Sequence, residues 1–282
     1  MSVAIGALSP EEWPRGRRPD HVETLPAPPT GEDARERTAH DLDAAIAALE
    51  ARGFELAVVM LDTGYTSEGV VVPPPAYLQE VVRRTHEAGG LVVADEVQAG
   101  YGRTGAHLWS FQDSGVAPDI VTLGKPMGNG FPVAAAVTRR EIAERYSAEQ
   151  EFFSTFGGNP VACAAALAVL DVIRDEDLIR NAGEVGQHLQ ATLRKLMERH
   201  PLVADVRGRG LLIGVELRRE DGIAASKEAD AVVNGMRDRG VLIGSTGPEE
   251  NVLKIRPPLV IDREDADAIA SALDETLSAL RS

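Results

Sequence analysis

The sequence predicts an α/β fold, a mostly parallel sheet with helices on both faces, followed by a small carboxyl-terminal α/β domain. Three observations carry that expectation. Short continuous apolar runs alternate with segments of helical period in the first part of the chain, the order that a parallel crossover sheet produces. A length of 282 residues at 44% hydrophobic content suits one large domain with a smaller one attached. After Pro160 the pattern changes, as an alanine-rich helix leads into a long amphipathic one.

In chain order, residues 26–37 are rich in proline and charge and read as an exposed connection. Over residues 41–52, Leu42, Ala45, Ile46 and Leu49 recur at helical spacing, and Gly53 follows at a suitable position to end the helix. Residues 57–61 form a continuous apolar run, residues 77–88 are helical in pattern, and residues 91–94 form a second run after Gly89-Gly90. Two further strands are expected at residues 120–123, after the turn signal Ala117-Pro-Asp119, and at residues 133–137. The long helix carries Leu178, Ala182, Val185, Leu189, Leu193 and Leu196. Beyond it, residues 211–217 and 252–255 read as strands and residues 227–239 and 265–280 as helices. The domain division is placed near Leu170, giving a large domain over residues 1–170 and a small one over residues 171–282.

A formal net charge of −15 disfavours nucleic acid and anionic membrane surfaces as partners. No run reaches the ~20 apolar residues of a membrane span. The opening residues soon meet Trp13-Pro-Arg-Gly-Arg-Arg18, unlike a signal peptide. The single cysteine, Cys163, lies in an apolar run and is expected as a packed helix residue. A soluble protein of a reducing, cytoplasmic setting is expected, with no metal site.

In an open parallel sheet, ligands bind at the carboxyl ends of the strands. One apolar run ends in Asp95-Glu-Val-Gln98 and the next in Gly124-Lys125-Pro126. If these strands are neighbours, a carboxylate and an amine meet at one pocket. An aldehyde cofactor with a pyridine ring needs that pair, the lysine to bind it covalently and the acid to keep the ring nitrogen protonated. Taken singly, each residue also fits a plainer role: a strand-end Asp often caps a helix or turn, and a Gly-Lys pair is commonly a solvated charge. An acidic magnesium site is disfavoured by the lack of a Gly-x-x-x-x-Gly-Lys-Ser/Thr loop.

Three segments taken together carry a resemblance: Ala94-Asp-Glu-Val-Gln-Ala-Gly-Tyr-Gly-Arg-Thr-Gly105, Pro118-Asp-Ile-Val-Thr-Leu-Gly-Lys125 and Ser154-Thr-Phe-Gly-Gly-Asn-Pro160. In order and spacing they resemble the central motifs of class III aminotransferases, which depend on pyridoxal 5′-phosphate (PLP). The resemblance implies the PLP-dependent transferase fold of the aspartate aminotransferase type (fold type I). It implies that Lys125 forms the aldimine with PLP and shuttles the substrate proton, and that Asp95 pairs with the pyridine nitrogen. Val97 would pack on the ring, Gln98 would reach the ring hydroxyl, and Thr155 would contact the cofactor phosphate of the other subunit of a homodimer.

The pattern also departs from the family. The glycine- and serine-bearing loop that holds the cofactor phosphate and the aromatic residue that stacks on the ring are not visible, and Ser9-Pro-Glu-Glu12 resembles the segment that follows them. If the resemblance holds, at least one interior strand of the large sheet is absent. Lys254 stands where many relatives carry a carboxylate-clamping arginine, with Arg256 two residues on, and Leu61-Asp62-Thr63 stands where many carry a glutamate. With Leu253-Lys-Ile-Arg-Pro-Pro258, these features look closest to the branch that includes phospho-lyases of phosphorylated amines such as ethanolamine phosphate. The readings are a PLP-dependent aminotransferase acting on a small-molecule amine, a phospho-lyase on the same scaffold with Lys254 and Arg256 meeting the phosphate, and a catalytically silent fragment betrayed by exposed apolar surface.

Overall fold

A computed structural model of the chain describes residues 17–280; Trp13 and the segment Ser9-Pro-Glu-Glu12 lie outside them. The first helix among the described residues, α1 (Ala34–Glu50), starts earlier than the periodicity of its apolar residues indicates. Ala34 and Thr38 are buried, with the Thr38 hydroxyl donating to Ala34 O at 2.6 Å. Arg35, Glu36 and Arg37 occupy the exposed face of that first turn, which is why charge there read as a loop. Gly53 ends the region at φ +83°, a left-handed value suited to glycine.

Strand β1 (Val58–Asp62) leads through α2 (Pro75–Glu87) to β2 (Leu91–Asp95), then β3 (Ile120–Leu123) and β4 (Ala135–Thr138). Proline at the first helical position opens α2, where a missing N–H costs nothing. The sheet order is β1-β2-β3-β4, with β1–β2 and β2–β3 parallel and β3–β4 antiparallel. The sheet is therefore mostly parallel, as expected, but the four strands follow one another without a gap. No interior position is vacant among the described strands, and any further strand adds beside β1 or β4. Register places Asp62 opposite Asp95 and Asp95 opposite Thr122, so three adjacent strand ends lie side by side.

Helices α3 (Arg140–Glu149), α4 (Pro160–Asp175) and α5 (Leu178–Arg199) follow. The Asn159 side chain caps α4, accepting from Ala162 N at 3.0 Å. Helix α4 buries only Ala162, Ala166 and Ile173. Its other face is uncovered, and Cys163, expected as a packed residue, is exposed there. The second sheet is antiparallel throughout, in the order β5-β6-β8-β7. Its strands are β5 (Val203–Arg209), β6 (Leu212–Leu217), β7 (Gly244–Thr246) and β8 (Val252–Ile255). Helices α6 (Ser226–Asp238) and α7 (Arg263–Ala279) complete it. Strands β5 and β7 had no clear sequence signal: charge and glycine interrupt the first, and the second is three residues long.

Glycines bring α5 against the rest of the protein. A Cβ on Gly105 would stand 2.5 Å from Gly183 Cα, and one on Gly186 would stand 2.1 Å from Gly210 O. The long helix thus touches both the loop after β2 and the β5–β6 turn at backbone distance.

Candidate active site

The parallel pairing of β2 and β3 brings together the two strand ends singled out by sequence. Asp95 is half-buried at the end of β2; its Oδ1 accepts from Val97 N at 2.9 Å and from Thr122 Oγ1 at 3.1 Å. Those bonds fix the plane of the carboxylate, and no hydrogen bond to Oδ2 occurs among the described residues. Lys125, just past β3, opens the 3-10 turn Lys125–Gly128 at φ +32°. A non-glycine residue in that region is strained, of order 1–3 kcal/mol, and such strain concentrates at functional positions. Its side chain is exposed and forms no ion pair among the described residues.

Gly124 is buried, and a Cβ there would reach the Val97 methyls at 3.6 and 3.8 Å and Ala134 Cβ at 4.0 Å, so the start of the Lys125 turn lies against the Val97 side chain. An acceptor oxygen, a lysine and an aliphatic side chain beside it fit the pyridine end of PLP. Thr155 lies in an exposed turn ahead of α4 and makes no side-chain hydrogen bond among the described residues. Gln98 is half-buried, donating to Thr66 Oγ1 at 2.7 Å and accepting from Arg256 at 3.3 Å.

The second sheet delivers the cations. Lys254, on β8, is half-buried, and burial first and Arg256 second hold its amine below the usual lysine range, with Lys125 adding repulsion and Asp62 opposing the shift. Arg103, in the loop after β2, donates to the carbonyls of Leu211 and Pro257. Its burial and then the Arg256 charge pull its guanidinium down to about 10. Lys125, Lys254, Arg256 and Arg103 form no ion pair among the described residues. In a chain of net charge −15, the strand ends therefore carry a local excess of positive charge.

Sequence reasoning singled out Asp95, Val97, Gln98, Lys125, Thr155, Lys254 and Arg256 but not the residues that support them. Thr66 stands in a segment without a periodic or motif signal, and Thr122, although inside the segment of residues 118–125, was not singled out as a partner of Asp95. Glu96 is fully buried, accepting from the Thr63 hydroxyl and from the backbone N–H of Ser110 and Phe111, each at 2.9 Å. Burial pushes its carboxyl upward, and these donors oppose the shift. It ties the 109–111 segment to the β1 exit beside Asp95.

A carboxylate at the end of β2 and a lysine just past the neighbouring parallel strand β3 are groups with which a fold type I protein could hold an aldehyde cofactor. Residues 12–277 match the family described as aminotransferase class-III, and the chain belongs to that family. It is 36% identical to ethanolamine-phosphate phospho-lyase homolog 1 of Caenorhabditis elegans, over 96% of this chain and 63% of that protein. It is 42% identical to an alanine–glyoxylate aminotransferase 2-like protein of Drosophila melanogaster, over 82% of this chain and 47% of that one. Among solved structures it is similar to a phospholyase from Arthrobacter in complex with phosphoethanolamine. That likeness has a TM-score of 0.89 and 40% identity over 93% of this chain and 64% of that one. The chain spans less than two thirds of the length of each of these relatives.

Proposed function

We propose that this chain carries the catalytic lysine and ring-binding half of a PLP-dependent aminotransferase site. The observation that supports it best is the parallel pairing of β2 with β3, which sets Asp95 opposite Thr122, three residues before Lys125. PLP, when bound, supplies a protonated pyridine ring that delocalises the electron pair left when a proton is removed beside an amine. Lys125 would hold the cofactor through its Nζ, and as a free amine that Nζ would take the substrate proton, a role worth about 10²–10⁴-fold. The Asp95 carboxylate keeps the ring nitrogen protonated by charge. Val97 would pack on the ring face and Gln98 would present its amide to the ring hydroxyl.

The working unit in this reading is a homodimer in a reducing, cytoplasmic setting, with Thr155 reaching the partner's cofactor phosphate. The exposed surface around it supports this, since Phe152, Phe153 and Phe156 are 72%, 81% and 81% exposed, and clustered exposed aromatic side chains mark interaction surfaces. Among the described residues no helix is long and apolar enough to cross a membrane. The large domain runs to about Leu170 and the small one from there onward.

The unpaired cations favour a second reading. Lys254 and Arg256 beside Lys125 suit a dianionic substrate group, so a phosphorylated amine would bind there and lose phosphate by elimination. Incubating the PLP-loaded chain with ethanolamine phosphate separates the two. Amine transfer that requires a 2-oxo acid acceptor supports the aminotransferase; inorganic phosphate and ammonia released without any acceptor support the phospho-lyase.

A further inference from the structure

Two neutral side chains link the exit of β1 to the end of β8. Asp62 accepts from Gly64 N at 2.9 Å through Oδ1, and from Thr66 N at 3.0 Å and the Thr66 hydroxyl at 2.5 Å through Oδ2. Thr66 Oγ1 in turn faces Gln98 Nε2 at 2.7 Å, and Gln98 Oε1 faces Arg256 Nη1 at 3.3 Å. We propose that Thr66, held by Asp62, is a positioning residue that fixes the side-chain amide of Gln98.

The proton inventory gives the reason. An ionised carboxylate only accepts, so the single hydroxyl proton of Thr66 is committed to Asp62 and only lone pairs remain for Gln98. Gln98 must then turn its NH₂ toward Thr66. A guanidinium only donates, so Arg256 demands the amide oxygen on its side. Both neighbours therefore select one orientation of Gln98. The reversed amide would set acceptor against acceptor and donor against donor, leaving both ends unsatisfied.

The Thr66 end is the fixed one. Thr66 is fully buried, and its carbonyl accepts from the Thr246 hydroxyl on β7 at 2.6 Å, so its N–H, carbonyl and hydroxyl are all engaged. Three residues on, Gly69 O accepts from Arg207 Nε at 3.0 Å and Nη2 at 2.8 Å. The second sheet thus clamps the segment that orients Gln98. Arg256, exposed and at longer range, is the end free to turn toward an arriving anion. Because the carboxylate of Asp62 is occupied by its own loop, Arg256 meets an amide and not a neutralising charge. Gln98 keeps one N–H and one lone pair in directions set before any ligand arrives, a preorganised group next to Val97 and Asp95 at the end of β2.

The role of Gln98 toward the ring rests on the PLP reading, so the test separates the two. In the full chain, the side-chain ¹⁵NH₂ protons of Gln98, assigned by their loss in Gln98→Glu, are followed by hydrogen exchange. Thr66→Val, close in shape but without the hydroxyl, is expected to speed that exchange about 10-fold, and Thr66→Ser to restore it. Should Thr66→Val fail to fold, Thr66→Ala gives the same readout by removing the hydroxyl. Unchanged exchange in the folded variant overturns the proposal. In the PLP-loaded chain, Thr66→Val is expected to move the pH midpoint of the cofactor absorbance by about half a unit, with Ser restoring it; a midpoint that stays put overturns the role toward the cofactor. A folded wild-type chain with no PLP band defeats the cofactor reading alone, and the exchange experiment still decides whether Thr66 holds Gln98.

Discussion

The two sheets of this protein bury their apolar residues in different ways. Around the antiparallel sheet, Leu189, Leu193, Ile213, Leu253 and Leu273, each 0% exposed, belong to one continuous cluster drawn from α5, β6, β8 and α7. Around the parallel sheet, the core divides into smaller clusters, one about Leu61 and Val81, another about Tyr101 and Leu123. There α4 leaves Val161 and Leu167 each 62% exposed. The antiparallel unit closes its core within one chain, whereas the parallel unit presents apolar surface next to the strand ends that bear Asp95 and Lys125. The candidate site therefore sits where a rigid scaffold meets an uncovered face. That arrangement suits a cofactor site completed by a second subunit.

The comparison can be broken first by truncation. Leu253→Ala is expected to cost about 2–5 kcal/mol of unfolding free energy, and Leu167→Ala less than about 0.5 kcal/mol, both measured by urea unfolding. Equal losses would mean that α4 is packed after all. The next largest effect concerns Glu80 on α2, whose buried carboxylate is ion-paired with Arg35, Arg83 and Arg84. The bond from Arg83 and then that from Arg84, against the cost of burial, hold it down to about 2. A depressed carboxyl stabilises the fold above its unfolded value of about 4.5, and that contribution is lost as pH falls toward 2. Glu80→Gln should therefore cost about 2 kcal/mol at pH 7 and little at pH 2, read from the same unfolding curves. The smallest effect is on association: Phe153→Ser should leave unfolding unchanged while weakening self-association about 10-fold in sedimentation, a typical loss for an aromatic interface anchor.

Much of the fold was legible because its signals are local. The runs that became β1, β2 and β3 are continuous and bounded by glycine, proline or acidic residues, and α5 carries an unbroken helical stripe. Strand β5, with its two arginines and a glycine, owes its form to pairing with β6, a non-local cause. The antiparallel direction of β4 was likewise set by its neighbour β3 and not by its own residues. Cys163 was misplaced for a related reason: apolar sequence indicates a helix that will be covered, not which surface covers it. At the site, Asp95 and Lys125 stood out because they terminate apolar runs. Thr66 did not, since its importance depends on Gln98 and Arg256, 32 and 190 residues further along the chain (98 − 66 and 256 − 66).

The central claim is that the adjacent strand ends form a PLP site with Lys125 as its covalent anchor. Its most direct test is to titrate the purified chain with PLP, record the visible-edge absorbance, reduce with borohydride and map the labelled residue. The account predicts a stoichiometric band, a label on Lys125, and loss of both in Lys125→Ala with the fold intact. A well-folded chain that forms no band, or a label that persists on another lysine when Lys125 is replaced, would contradict it.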